Sequence, residues 1–169
     1  MKNYIAILAI AALVGVSAIA QTNAPAESGK SSGQWEITLG GGGTELRGEN
    51  IIGADFSVST NPFKTRPEVW VGVAQGLYWE PSFAGSTDVF VDWSQNIWND
   101  TLYLNVGWSG GALYDNSGTR TIWRTGPEAT LQYYTSDTAF IYAGVNYDVF
   151  SSDNNEGGFR YSFGIGITF

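Results

Sequence analysis

Hydrophobic and polar residues alternate one by one through much of this chain, in stretches set apart by turn-forming residues. Trp35, Ile37 and Leu39 alternate with Glu36, Thr38 and Gly40. Ile52, Ala54, Phe56 and Val58 alternate with Gly53, Asp55 and Ser57. Val69, Val71 and Val73 face away from Trp70, Gly72 and Ala74, and the series continues towards Leu77 and Trp79. Val89, Val91 and Trp93 oppose Phe90, Asp92 and Ser94, while Leu102, Leu104, Val106 and Trp108 oppose Tyr103, Asn105, Gly107 and Ser109. A sixth, less regular stretch sets Ala129, Leu131 and Tyr133 against Glu128, Thr130 and Gln132, with a bulge or entry point expected at Gly126-Pro127. In a seventh, Ala139, Ile141, Ala143, Val145, Tyr147 and Val149 oppose Tyr142, Gly144, Asn146 and Asp148. The last runs from Phe159 to Phe169. Period two is the mark of a β-strand with one apolar and one polar face. The connections expected between strands are Gly40–Asn50, Ser59–Pro67, Glu80–Ser86, Gln95–Thr101, Gly110–Arg120, Tyr134–Asp137 and Ser151–Gly158.

The last strand is the most regular. Phe159, Tyr161, Phe163, Ile165, Ile167 and Phe169 fall on one side, and Arg160, Ser162, Gly164, Gly166 and Thr168 on the other. Its length is about what a tilted strand needs to cross a bilayer. Rings at both ends of the apolar face, with isoleucines between, follow the order of a lipid-facing surface. The segment resembles the C-terminal signature strand of Gram-negative outer-membrane β-barrels. Gly164, Ile167 and Phe169 match that family's pattern, whereas Phe163 departs from it, because a polar residue is commoner there. The resemblance implies that Tyr161, Phe163, Gly164, Ile165, Ile167 and Phe169 form an assembly signal read by the barrel-assembly machinery. It also implies an eight-stranded antiparallel up-and-down transmembrane β-barrel over residues 34–169, of the OmpA transmembrane-domain and OmpX type. Outer-membrane lipid would then be its solvent.

The N-terminus agrees with export. Lys2, an apolar run to Val16 and the close at Ser17-Ala18-Ile19-Ala20 predict a signal peptide over residues 1–20. Residues 21–33, without periodicity and rich in small and polar residues, predict a flexible leader. The chain has no cysteine, so no disulfide staples the exported protein and Gln21 cannot carry a lipoprotein anchor. Only 14% of its residues are charged, well under the roughly 25–35% of a soluble surface. Gly, Ser, Asn and Asp stand opposite the apolar faces, which suits a narrow interior better than a wet exterior. A net charge of −8 argues against a nucleic-acid partner.

Candidate chemistry is sparse. Without histidine or cysteine, the commonest general base, the Ser-His and Cys-His pairs and most transition-metal sites are excluded. No catalytic residue, metal site or cofactor is expected. Asp153-Asn154-Asn155-Glu156-Gly157 has a calcium-loop flavour but lacks the spacing of an EF-hand, and reads as a solvated hairpin loop. Gly40–Gly43 has no following Lys-Ser/Thr, so it is read as a bend into the first outer loop.

Alternation instead points Glu36, Asp55, Asp92, Glu128, Asp148 and Arg160 inward as a lumen charge network, with Arg160 as the clear inward base. Trp35, Trp79, Trp93, Trp108, Tyr133 and Tyr147 fall on the apolar face and are expected in aromatic girdles. Trp70, Phe90 and Tyr103 are expected to fill the lumen. The functional expectation is a non-enzymatic barrel of the outer membrane with a structural role or an unidentified surface partner. A narrow pore for small solutes or cations is one alternative. A soluble, lipocalin-like barrel with its faces reversed is the other.

Overall fold

The computed structural model of the protein describes residues 34–46, 49–63, 65–79, 83–115, 121–151 and 157–169. The expected signal peptide and leader, and residues 153–156 of the acidic loop, lie outside the described residues. Eight strands run in chain order: β1 Trp35–Leu46, β2 Glu49–Thr60, β3 Val69–Tyr78, β4 Phe83–Trp98, β5 Leu102–Asp115, β6 Thr121–Tyr134, β7 Ala139–Phe150 and β8 Gly157–Thr168. Each pairs antiparallel with its sequence neighbours, and β1 pairs with β8 to close a barrel. The closure is finished by two backbone bonds, from Trp35 N–H to the Phe169 carbonyl (2.8 Å) and from Phe169 N–H to the Trp35 carbonyl (2.9 Å). The end of the barrel where these residues meet is called the near end below, and the opposite one the far end.

Register fixes the barrel's dimensions. Partners followed around the wall run Leu104, Leu131, Ala143, Phe163, Gly41, Ala54, Leu77, Gly85 and back to β5 at Tyr114. The return lands ten residues from its start (114 − 104), which is the shear of the barrel. With eight strands, that shear sets a strand tilt of about 40°. A twelve-residue strand such as β7 then rises about 30 Å, enough to cross a hydrocarbon layer.

Several strand limits differ from those read in the sequence. Gly40–Gly43 is not a bend or a loop, because all four glycines stay paired with both β2 and β8. Glycine is required at Gly42 by close approach: a Cβ there would lie 2.2 Å from the Tyr161 carbonyl oxygen. β4 takes in Phe83 to Ser86 and continues to Trp98, β5 runs through Gly110-Gly111 to Asp115, and β6 already begins at Thr121. No bulge sits at Gly126-Pro127, since Thr125↔Val149 and Glu128↔Asn146 keep one register. Pairing with β7 lapses only between them, where Pro127 has no N–H to give. The register shifts lie in β4, between Phe83 and Gly85 and between Asn96 and Trp98.

The two faces are sharply different. Leu39, Ile52, Val73, Val89, Val106, Leu131, Ile141 and Ile165, one from each strand, are exposed on the outside. Inward positions hold polar and small residues together with a few large rings. The far end is the exception, because Ile51, Leu113, Ile122 and Phe150 point inward and pack as a buried apolar cluster with Tyr78 against it. Both faces are apolar there, so the period-two signal fades. That is why the sequence reading stopped β5 and began β6 short of their true ends.

Candidate functional site: the barrel lumen

Three layers fill the interior. The apolar cluster of Ile51, Leu113, Ile122 and Phe150 occupies the far end. Beneath it lies a four-charge layer built by β4, β6, β7 and β8. Arg124 grips Asp88 with two bonds, Nε to Oδ1 at 2.9 Å and Nη2 to Oδ2 at 2.6 Å, and gives a third to Ser86 Oγ at 3.0 Å. This fork-on-carboxylate geometry is the strong form of an ion pair. Arg160 Nε stands 3.1 Å from Asp148 Oδ2 and Arg160 Nη1 stands 3.4 Å from Asp88 Oδ2, while Arg124 Nη1 reaches Asp148 at 3.7 Å. The two guanidiniums and two carboxylates thus form one connected square. Arg160 also donates to Ser109 Oγ (2.7 Å), which accepts from Asn146 Nδ2 (3.0 Å), and Asn146 donates in turn to Glu128 (2.6 Å).

Below this layer is a cavity of about 130 Å³, lined among others by Thr38, Asp55, Ser57, Phe90, Asp92 and Thr130. The volume is enough for several waters beside these polar groups. Asp55 accepts from the Tyr142 hydroxyl at 2.7 Å. At the near end Trp70, Tyr103 and Phe140 are buried. Tyr134 stacks between Tyr103 and Phe140 with ring centroids 5.5 and 5.1 Å away. Glu36 lies among these rings and accepts from Tyr134 (3.0 Å), Gln132 (3.2 Å) and Thr168 (3.5 Å). Large buried side chains therefore occupy both ends, with polar space between.

The six lumen charges named from sequence all line the interior. They do not form one cluster: Asp148 and Arg160 join the four-charge layer, Glu128 joins it through Asn146, and Asp55 and Glu36 sit at separate heights with their own hydroxyl donors. Arg160 meets Asp148 diagonally, because its register partner is Asn146. Arg160 is not the sole inward base, because Arg124 is 3% exposed and points to the same layer. Arg124 and Asp88 fall outside the alternating stretches read from the sequence, just ahead of the Gly126-Pro127 entry and of Val89. Ile122, Trp123, Arg124 and Thr125 put one apolar and one polar residue on each face, so period two carries no signal there. Among the described residues no group of three or more His, Cys, Asp or Glu is placed to hold a metal.

A closed eight-stranded wall, a shear of ten, a polar interior and an apolar exterior leave one architecture. The fold is that of the small outer-membrane barrels. The N-terminal β-barrel domain of Pseudomonas aeruginosa OprF matches with a TM-score of 0.57 at 16% identity, over 82% of this chain and 98% of that one. Ail, the attachment invasion locus protein of Yersinia pestis, matches at 0.55 and 17% identity, over 82% and 99%. A de novo designed transmembrane β-barrel does so at 0.56 and 15%, over 85% and 100%. A design is matched as well as a natural protein, so the likeness is one of geometry. No family model matches the sequence, and no curated protein matches it.

On the outer wall of this barrel fold, Trp79, Trp93, Trp108, Tyr133 and Tyr147 are exposed, and Trp35 is half-buried at the near end. Trp79 lies at the far end, and Trp35, Trp93 and Tyr133 towards the near end. Trp108 sits midway along β5, paired with Val91 and Pro127, and its indole N–H donates to Thr125 Oγ1 at 2.7 Å. On β8, Tyr161, Phe163, Ile165 and Ile167 are exposed outward, and Gly164 faces in, close against Gly40. Phe169 is held at the closure by its backbone.

Proposed function

We propose that this protein is an integral barrel of the bacterial outer membrane whose role is structural or surface-interacting rather than enzymatic or conducting. The observation that carries this reading is the reversal of faces. Large apolar residues are exposed on all eight strands, while arginine and aspartate are buried inside. Such an outer surface far exceeds the few hundred Å² of contiguous apolar area that a soluble monomer tolerates, and it suits lipid. The same reversal disfavours the lipocalin-like alternative. By the family's pattern the near end faces the periplasm, and the remaining partners are outer-membrane lipid and, during biogenesis, the barrel-assembly machinery.

The pore alternative must contend with the lumen. Any path along the axis meets the Ile51, Leu113, Ile122 and Phe150 cluster, the four-charge layer and the Trp70, Tyr103 and Phe140 rings in turn. Purified protein refolded into phospholipid vesicles is expected to show heat-modifiable gel migration. In planar bilayers it is expected to give silence or rare, small, cation-preferring events, given the carboxylates at Glu36, Asp55, Asp92 and Glu128. Frequent large openings would defeat the obstructed lumen and restore the pore. Failure to enter vesicles would defeat the membrane reading itself.

A further inference from the structure

On its β3 side the near-end hairpin between β4 and β5 overhangs its neighbour, while on the other side β5 stays paired with β6 down to Leu102↔Tyr133. β3 ends its pairing with β4 at Val69↔Trp93, yet β4 continues to Trp98. Five further residues at ~3.3 Å each carry the tip about 16 Å along the strand, or about 12 Å in depth at this tilt. The extension is stiffly built. Asn99 and Asp100 both have positive φ, 45° and 56°, and Thr101 N–H bonds to the Trp98 carbonyl at 2.9 Å, which together make a tight type I′ turn. Asn96 Nδ2 donates to Asp100 Oδ1 across it.

The register shift between Asn96 and Trp98 leaves Ile97 unpaired beside Trp98, which is opposite Leu102. A bulge of this kind sets two consecutive residues against one. Ile97 is 48% and Trp98 62% exposed. Two neighbouring apolar side chains are thus presented together, beyond a tryptophan already in girdle position at Trp93.

The far half of the same sector shows the complementary deviation. Facing outward there are Gln75, Gly85, Thr87, Gly110, Thr125 and Pro127, which interrupt an apolar series that Leu77, Trp79 and Trp123 resume. Their polar atoms bond among themselves, Thr87 Oγ1 to Gln75 Oε1 at 2.7 Å and the Trp108 indole to Thr125. On the opposite side of the barrel the apolar series of β8 runs unbroken from Phe159 to Ile167.

We propose that the lipid-contacting band is displaced towards the periplasm on the β4–β5 side, so that the hairpin tip inserts Ile97 and Trp98 into the periplasm-facing leaflet of the phospholipid bilayer. On that side Trp108 marks the upper edge of the band, and Trp79 and Trp123 rise to the headgroup level or above it. The barrel therefore sits inclined, held by a stiff apolar foot. A phospholipid surface fits this foot because it continues the apolar outer face of the wall. With Asp100 beside it, insertion is driven by apolar burial and not by anionic headgroups.

This rests on the chain spanning a bilayer, and the test separates the two claims. Because the protein has no cysteine, single nitroxide labels can be placed at Ile97→Cys, Thr87→Cys, Tyr147→Cys, Ile165→Cys and Asp137→Cys. The variants are refolded into phosphatidylcholine vesicles, and the collision rates of each label with oxygen and with a water-soluble nickel chelate are compared. Asp137, in the near-end turn of β6–β7, reports water, and Ile165 reports the bilayer interior. Ile97 is expected to resemble Ile165, with a several-fold higher oxygen-to-nickel ratio than Asp137, unchanged when phosphatidylglycerol is added. Thr87 and Tyr147 stand at about the same height on opposite sides, and Thr87 is expected to be several-fold more open to nickel. An Ile97 label that behaves like Asp137 overturns the proposal and leaves the tip for a periplasmic protein. Equal values at Thr87 and Tyr147 overturn the displaced band. A water-like Ile165 would overturn the membrane reading and the proposal with it.

Discussion

Replacing Arg124 with leucine tests what holds the lumen together. The substitution removes the two bonds to Asp88, the bond to Ser86 and the 3.7 Å contact with Asp148. The carboxylates left behind are 1% and 0% exposed, so water cannot replace the lost donors without repacking. Breaking a buried ion pair typically costs 3–5 kcal/mol. Arg160 remains within 3.1 Å of Asp148 and 3.4 Å of Asp88, which places the expected loss near the lower bound, about 3 kcal/mol. Urea titration of folded protein in lipid vesicles, followed by tryptophan fluorescence, measures it. Adding Asp88→Leu should recover part of the loss, with a coupling of roughly 1–3 kcal/mol, because the uncompensated charge disappears. Conductance should not rise above that of the parent in either variant, since the apolar cluster at the far end is untouched. An Arg124→Leu protein within about 0.5 kcal/mol of the parent would refute this reasoning, and would mean that the charges are solvated by lumen water and not by each other.

The remaining tests are simpler. Arginine at Ile141 or Val145, mid-strand on the outer face, is expected to cost about 2–4 kcal/mol. Arginine at Asn105, which faces the cavity, should be milder in the same vesicle titration. Within the glycine run, Gly42→Ala should lose about 1–3 kcal/mol by overpacking against backbone. Gly41→Ala, whose Cβ would meet nothing nearer than 3.5 Å, should be close to neutral in that assay. Deleting Phe169 should lower outer-membrane levels in fractionated cells without blocking export, and normal levels would remove it from the assembly signal.

What the sequence made legible was the wall. Alternation assigned Trp70, Asp92, Asn105 and Asp148 to the inside and Leu39, Val89, Ile141 and Ile165 to the outside, and the strand count came from the same signal. It worked because lipid and lumen impose opposite demands on successive residues. It failed where one of those demands lapsed. At the far end Ile51, Leu113 and Ile122 point inward, so apolar residues occupy both faces, and Gly110-Gly111 and Gly126-Pro127 look like breaks. Arg124 goes unread for that reason, and Asp88 because it precedes the clear alternation that opens at Val89. The expected connection Gln95–Thr101 holds only from Asn99 to Thr101, because a bulge that shifts Trp98 onto the outer face breaks the period that would extend β4.

The hydrogen-bonded meeting of Trp35 and Phe169 has a consequence for how fold and delivery can be pulled apart. Because the two ends of the wall lie side by side, a short linker could join them and a new start could be cut at any far-end connection, giving a circular permutant with every strand pairing kept. As a ring of strands, the barrel has no first or last member. Its stability in vesicles should then survive permutation largely intact. In the cell, however, Phe169 would become an interior residue and a different strand would close the chain. Thermodynamics sees a cycle where the assembly route sees a line, and a permuted chain would let each be measured without the other.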